Sequence, residues 1–284
     1  MIDIIHAATG HGIRSICKVL DLPRSSYYHA ATPTATERSD QEVGDQIEQI
    51  FHSHFHRDGY RRIYKYLVDE GVVCGTSRVR RIMAERGLRA LQSKTYVPRT
   101  SDGKADAPSP NRLLETGLPV TPDTIWAGDI TFIPTSSGWL YLAVVIDLCS
   151  RRIVGWTLAD HLRADLVTEA FRQWFESRCP QPGLIFHSDR GSQYGSRLFR
   201  AQLTKGGALQ SMSARANPYH NALTESFIGT LKAEMLQGGC FLDGNDARTE
   251  LFAYIEPYYN THRRHSSLDY QTPDQFEARF HSLN

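Results

Sequence analysis

The stretch that most constrains this chain is Thr124–Leu158. Three apolar segments rich in β-branched residues, Thr124–Pro134, Leu140–Leu148 and Arg152–Leu158, follow one another across short turns. Segments of this length and branching predict strands, and the brief connections predict an antiparallel meander. The pattern then alternates. Ala164–Ser177 places Leu166, Val167, Ala170, Phe171 and Trp174 on one helical face; Gly183–His187 reads as a short strand, Ser196–Thr204 as a helix, Leu209–Met212 as a last strand and Asn221–Leu236 as a long amphipathic helix. Three antiparallel strands followed by helix, strand, helix, strand, helix is an α/β layout with mixed strand directions.

Upstream, Pro98, Gly103, Pro108, Pro110, Gly117, Pro119 and Pro122 punctuate 98–123, and the main domain boundary is expected there, with a linker over 98–120. Residues 40–97 predict a helical module: Val43, Ile47, Ile50 and Phe51 on one helix, Arg61–Glu70 with Ile63, Tyr64 and Leu67 inward, and Arg78–Arg86 with Val79, Ile82 and Met83 inward. Arg61, Arg62, Arg78, Arg80 and Arg81 are expected outside, where guanidinium forks suit phosphate. Residues 1–35 suggest a small helix-turn-helix-like segment. Ile13, Ile16, Cys17 and Leu20 share a face, Asp21-Leu22-Pro23 breaks it, and Ser25–Tyr28 begins a second helix.

Charge sharpens this division. The whole chain carries 32 basic and 31 acidic side chains, but residues 57–104 hold 12 basic against 5 acidic while both flanks are net acidic. A basic block inside a neutral chain suits a polyanion-facing module or a solvated helix pair. The longest apolar run, Leu140–Ile146, is far short of a membrane span, and the start lacks the pattern of a secretory leader. Cys17, Cys74, Cys149, Cys179 and Cys240 are odd in number and form no C-x-x-C pair, so reduced thiols and a cytoplasmic location are expected.

Three carboxylates sit where the local pattern does not want them. Asp129 lies mid-strand among Trp126, Ile130, Phe132 and Ile133. A carboxylate there costs several kcal/mol unless it is paired, protonated or bound to a cation. Asp189 follows the strand Leu184-Ile185-Phe186, at the strand end where ligands collect in open α/β sheets. Glu225 stands on the last long helix beside Leu223, Phe227 and Ile228. Taken singly, each has a structural reading as a bend, an Asx-turn or an exposed helix position. Together they form a hard-oxygen set suited to Mg²⁺ or Mn²⁺.

The surrounding words decide between these readings. Ile125-Trp126-Ala127-Gly128-Asp129-Ile130-Thr131-Phe132, then His187-Ser188-Asp189-Arg190-Gly191-Ser192-Gln193-Tyr194, and, with 35 residues between Asp189 and Glu225, Asn221-Ala222-Leu223-Thr224-Glu225-Ser226-Phe227 closely resemble the catalytic core of DDE transposases and retroviral integrases. The chain looks most like the second-frame (OrfB) transposase of bacterial insertion sequences of the IS-three family. Tyr259-Asn260-Thr261-His262-Arg263-Arg264-His265-Ser266-Ser267-Leu268 resembles that family's tail, and Gly59–Ile63 and Ser77–Met83 its upstream helical domain.

The resemblance implies an RNase H-like core over 121–237, a mixed five-stranded sheet with flanking helices, preceded by small helical modules and followed by a helical tail over 238–284. It implies that Asp129, Asp189 and Glu225 are catalytic and hold two Mg²⁺ ions, with Mn²⁺ as substitute. The reaction implied is hydrolysis at each insertion-sequence end, freeing a 3′-OH that attacks a second phosphodiester. DNA is the implied partner, as terminal inverted repeats and target. A homo-oligomer of at least two subunits is expected on DNA, along with an upstream-frame helix-turn-helix partner or fusion and a bacterial, nucleoid-associated location.

Further positions follow from helical spacing. Asn221 and Lys232 share a face with Glu225, and both are candidate DNA contacts. Arg263 and Arg264, with His265, are expected to grip DNA or a second subunit, which the sequence does not separate. His220 and Gly128 depart from the usual pattern, and Gly128 suggests no mechanistic consequence. His52, His54 and His56 lack the spacing of a structural zinc site, and His187 is expected to pack or hydrogen-bond. Two other readings compete: a DNA-binding regulator or relic with an inactive core, and an RNase H-type nuclease.

Overall fold

The computed structural model describes residues 1–24, 27, 35–91, 108–213 and 222–283. The chain divides into two compact units, Met1–Ala90 and Leu91–Asn284. The division falls a few residues before the linker expected at 98–120.

In the first unit, α1 (Ile2–Thr9), which the sequence reading did not anticipate, precedes α2 (Ile13–Val19), α3 (Ala35–Ser53), α4 (Tyr60–Asp69) and α5 (Thr76–Glu85). The second helix expected after Pro23 falls largely outside the described residues. Helices α3, α4 and α5 enclose the expected core of Val43, Ile47, Ile50, Phe51, Ile63, Leu67, Val79, Ile82 and Met83. Gly71 closes α4 with φ 80°, a conformation costly for a side chain with a Cβ, before the turn into α5.

The second unit opens with segment 108–112. Part of the expected linker is therefore structured. The backbone N–H of Arg112 donates to Ser211 Oγ at 3.0 Å, and the Ser109 hydroxyl donates to Gln210 at 2.7 Å. After the short α6 (Leu113–Thr116) come β1 (Ile125–Thr135), β2 (Gly138–Asp147), β3 (Ile153–Ala159), α7 (Ala164–Arg178), β4 (Ile185–Ser188), α8 (Ser192–Gly195), α9 (Arg197–Lys205), β5 (Leu209–Met212), α10 (Ala222–Met235) and α11 (Gly244–Ala253). A π-helical segment, Tyr254–Asn260, accommodates Pro257, and α12 (Pro273–Leu283) ends the chain.

The five strands lie in the order β3-β2-β1-β4-β5. The β1–β2 and β2–β3 pairs are antiparallel; the β1–β4 and β4–β5 pairs are parallel. This is the mixed sheet anticipated above. Because side chains alternate across a strand, each face buries its own set. Trp126 and Ile130 of β1 meet Leu166, Ala170 and Phe171 of α7, Phe186 of β4 and Phe199 of α9. Ile125, Ala127 and Ile133 of β1 meet Phe227 and Leu231 of α10 and, beyond them, Leu251, Tyr254, Ile255, Tyr258 and Tyr259. Full burial of such side chains stabilises the fold by roughly 1.5–3 kcal/mol each.

The segment expected as a tail is thus part of the core. Asn260 is fully buried. Its Oδ1 accepts from the Ile153 backbone N–H at 2.9 Å, and its Nδ2 donates to the Ile153 carbonyl at 3.1 Å. The local pattern could not reveal this, because the partner lies 107 positions away. At the chain's end, Glu277 accepts from Ser150 at 2.7 Å and from Arg178 at 3.0 Å, fastening α12 to the sheet side.

Candidate active site

Asp129 and Asp189 are brought together by strand register. β1 and β4 run parallel with Ala127 opposite His187. Two residues further along lie Asp129, within β1, and Asp189, just past the end of β4, in strands that run about 4.8 Å apart. Asp129 is 9% exposed, and its Oδ1 accepts the Ile130 N–H at 2.8 Å. Asp189 is half-buried and accepts the Gly191 N–H at 3.0 Å. Glu225 stands exposed in the first turn of α10. Two turns on, Lys232 is half-buried.

The electrostatics tie these four groups to one place. Burial pushes the Asp129 carboxyl up to about 8, and the negative charge of Asp189 adds to that; the Ile130 N–H opposes it, while Glu225 raises and Lys232 lowers it further. Burial and then Asp189 push Glu225 up. Burial pushes the Lys232 ammonium down, against the pull of Asp129. A buried acid facing two further carboxylates and one lysine lacks countercharge. All three acids offer hard oxygen donors of the kind that could hold a divalent cation, which would supply that charge. As the side chains stand, no three His, Cys, Asp or Glu among the described residues form a ready cation cage.

Sequence reasoning missed two neighbours of Asp129. Tyr194 is buried beside Asp129 and Asp189, and burial and then those charges push its phenol upward. Gly128 explains how Tyr194 fits. A Cβ at Gly128 would come 2.6 Å from the Phe186 ring and 3.0 Å from the Tyr194 hydroxyl. The residue expected to have no consequence thus lets both aromatics stand against β1 next to Asp129. The only signal was a glycine inside a strand, which often marks close approach. His187 is buried, with Nδ1 2.9 Å from Ser211 Oγ.

The candidate DNA contacts separate into two sets. Arg61 and Arg80 are exposed. Arg78 reaches Asp40 at 2.7 Å, Arg81 reaches Asp40 at 2.5 Å and Glu85 at 3.0 Å, and Arg62 reaches the buried Asp58 at 2.9 Å. Arg86 likewise lies across α3 to Asp45 and Glu48, both at 2.8 Å. The acidic residues of α3 thus engage Arg78, Arg81 and Arg86 of the basic block; Arg81 is exposed as expected, but it and Arg78 both have Asp40 as an ion-pair partner. In the second unit Arg263 is 6% exposed and bound to Glu234, so its guanidinium is not presented to DNA; Arg264 is half-buried and donates to the Tyr270 carbonyl at 3.1 Å. Asn221 and His220 lie outside the described residues. His52 and His56 ring nitrogens stand 2.7 Å apart and His54 lies 3.2 Å from Asp58.

A cavity of about 510 Å³ lined by Trp156, Gln173, Arg248, Phe252 and Glu256 lies beside β3, away from Asp129, Asp189 and Glu225, none of which lines it. DNA backbones are gripped at open surfaces, so an enclosed cleft is not the mark to look for. Among the described residues no helix is long and apolar enough to cross a membrane.

Residues 119–218 and 207–273 match two family models described as integrase core domain, and residues 38–96 match one described as HTH-like domain. The helix-turn-helix-like region is thus matched in α3–α5 rather than in 1–35. The transposase for insertion sequence element IS904 of Lactococcus lactis subsp. lactis is 42% identical over 235 residues, covering 83% of this chain and 93% of that protein. Transposase InsF for insertion sequence IS3A of Escherichia coli K12 is 35% identical over 269 residues, covering 93% of each. Among solved structures, the HTLV-2 integrase catalytic core domain in complex with magnesium aligns with TM-score 0.42 and 20% identity, over 56% of this chain and 98% of that one.

Proposed function

Because this chain belongs to the transposases of IS3-family insertion sequences, we propose that its integrase core cuts DNA at the ends of such an element and joins the freed 3′-OH to DNA. The observation that carries this reading is Asp129, a carboxylate buried in β1 where the parallel β1–β4 pairing brings Asp189 alongside and where the charge of Glu225 is also felt. Asp129, Asp189 and Glu225 hold the divalent ions, Mg²⁺ with Mn²⁺ as substitute. Bound there, a pair of such ions supplies an activated oxygen nucleophile and neutralises charge on the scissile phosphate.

The chain's own residues do the rest. Lys232, on the Glu225 face of α10, holds a phosphate oxygen next to the scissile bond. Tyr194 and Phe186 exclude water behind Asp129. In the first step water attacks phosphorus, the P–O3′ bond breaks, and the 3′ oxygen leaves as 3′-OH. In the second, that 3′-OH attacks another phosphodiester and displaces its 3′ oxygen. One phosphodiester forms as one breaks, so joining needs no nucleotide energy source. The HTH-like unit brings terminal repeats to the core, at least two subunits assemble on the paired ends, an upstream-frame partner or fusion completes end recognition, and the work is done on DNA in the bacterial cytoplasm.

The test is recombination in cells. The element, its flanks and its upstream reading frame are placed on a plasmid, and abutted-end junctions are sequenced. Junctions from the wild type and none from Glu225→Gln are expected. Equal junction yield from both would sink the metal-triad reading.

The division of arginines gives a second expectation. Arg80→Ala weakens binding to terminal DNA and lowers the salt slope of that binding by about 1, with unchanged melting temperature. Arg78→Ala, which leaves Asp40 with one partner fewer, costs roughly 0.5–1 kcal/mol of stability. Fluorescence anisotropy across a salt series, paired with thermal melts, separates the two.

A further inference from the structure

We infer that Glu234 and Arg263 are positioning residues that set the rotation of α10, and with it the place of Glu225 and Lys232; the inference rests on the metal-site reading above. The observations concern the back of the helix. Its buried stripe is Thr224, Phe227, Leu231 and Glu234. Only two of these are large apolar side chains. The fourth is a carboxylate, 5% exposed, at the far end of the stripe.

Glu234 is held from several sides. Arg263 Nη2 donates to its Oε1 at 2.9 Å, and Arg263 Nε donates to Oε1 at 3.1 Å and to Oε2 at 3.2 Å. The fully buried Tyr254 hydroxyl donates to Oε2 at 2.8 Å. Arg263 also lies over the Tyr259 ring, 5.7 Å from its centroid, and that ring meets Phe227 edge-on at 4.7 Å. Arg263, expected with its neighbours to grip DNA or a second subunit, therefore has its guanidinium on α10.

Glu234 follows Glu225 by nine residues, about two and a half turns, so the two point from opposite sides of the helix. Glu225 and Lys232, seven apart, share a side. A side-chain tip lies about 5–6 Å from the helix axis. A turn of 20° moves it by about 2 Å, as long as a magnesium–oxygen bond, and Mg²⁺ tolerates little departure from octahedral geometry. The apolar contacts of α10, those of Phe227 and Leu231 and of the partly buried Leu223, Ile228 and Met235, do not fix its rotation angle, since such packing is non-directional. A forked guanidinium on a carboxylate does, since its hydrogen bonds fix angle as well as distance. Buried ion pairs are weak contributors to stability compared with apolar replacements of similar size, which leaves positioning as what this one adds.

The test separates positioning from folding. The double variant Glu234→Leu/Arg263→Met replaces the pair with apolar groups, and Arg263→Lys keeps charge but removes the fork. Each full-length protein is first melted to establish that it is folded. Mn²⁺ affinity is then read by electron paramagnetic resonance, and the Mg²⁺ dependence of terminal-DNA cleavage is measured beside DNA affinity. Folded double variant with Mn²⁺ affinity at least tenfold weaker and DNA affinity unchanged is the expected result, with Arg263→Lys showing a smaller loss of the same kind. Wild-type Mn²⁺ affinity in either folded variant overturns the inference. Glu225→Gln runs alongside: should it bind Mn²⁺ as wild type does, the metal-site reading itself has failed.

Discussion

Asp129→Asn is expected to make the metal-free protein more stable at pH 8 while abolishing end cleavage and joining. The two effects have one cause. In the folded chain the Asp129 carboxyl keeps its proton up to about pH 8, whereas an unfolded Asp releases it from about pH 3.8. Between those limits the folded state binds the extra proton, so stability falls as pH rises. A displacement of about four units amounts to something on the order of 5 kcal/mol by pH 8. Asp147, buried and pushed up to about 6, contributes in the same direction only in the lower part of the window. The melting temperature of the metal-free wild type should therefore keep falling from pH 6 to 8, and Asp129→Asn should be nearly flat there. Adding Mg²⁺ at pH 8 should restore the wild type, by binding the ionised form, and leave the variant unmoved. Cleavage should drop by at least about 10³-fold, equivalent to ~4 kcal/mol of lost transition-state stabilisation. A variant with wild-type pH dependence, or with wild-type cleavage, would contradict the assignment.

Asn260→Ala is expected to be the most damaging substitution outside the carboxylate cluster. The side chain acts as a surrogate strand for β3, filling both the N–H and the C=O of Ile153, which is itself fully buried. Removing it leaves a donor and an acceptor without partners away from water. At about 1–3 kcal/mol for each stranded group, the loss is about 3 kcal/mol. In a unit of this size that lowers the melting temperature by about 10 °C. Asn260→Asp should be no better, because its carboxylate has no hydrogen to donate to the Ile153 carbonyl. Thr261→Ala, one residue on, removes an exposed hydroxyl bonded to the Pro257 carbonyl and should cost under about 1 kcal/mol. A melt in which Asn260→Ala and Thr261→Ala are indistinguishable would show that 238–284 is a dispensable tail after all.

Where the sequence was legible, a periodicity or a spacing carried the information. The meander, the two later strands and the long helix all emerge near their expected bounds, because alternation and helical stripes report which side of an element faces a core. Asp129 and Asp189 stood out as acids against an apolar strand and a strand end. Their meeting needs only that β1 and β4 pair in parallel, which the α/β alternation already favours. The helical core of α3–α5 was readable residue by residue for the same reason.

The arginines were not legible in this way. Periodicity says that Arg78 and Arg81 leave their own helix's apolar stripe, but not what stands opposite, and Arg263 lies in irregular backbone past Asn260 where periodicity says nothing. Asp40 lies 38 positions before Arg78, and Glu234 lies 29 before Arg263. Similarly, nothing local to Gly128 announces that Phe186 and Tyr194 occupy the space a Cβ would need.

From the sequence alone came the order of elements, the buried faces, the carboxylate set and the family it resembles, since each depends on residues close together in the chain or on their number of intervening positions. Only the tertiary structure decided which charges are paired, which arginines stand exposed, and that much of the last forty-odd residues packs into the core. Those outcomes depend on pairs of side chains from distant elements, and a hydrogen bond or ion pair exists only where packing brings both partners within about 3 Å.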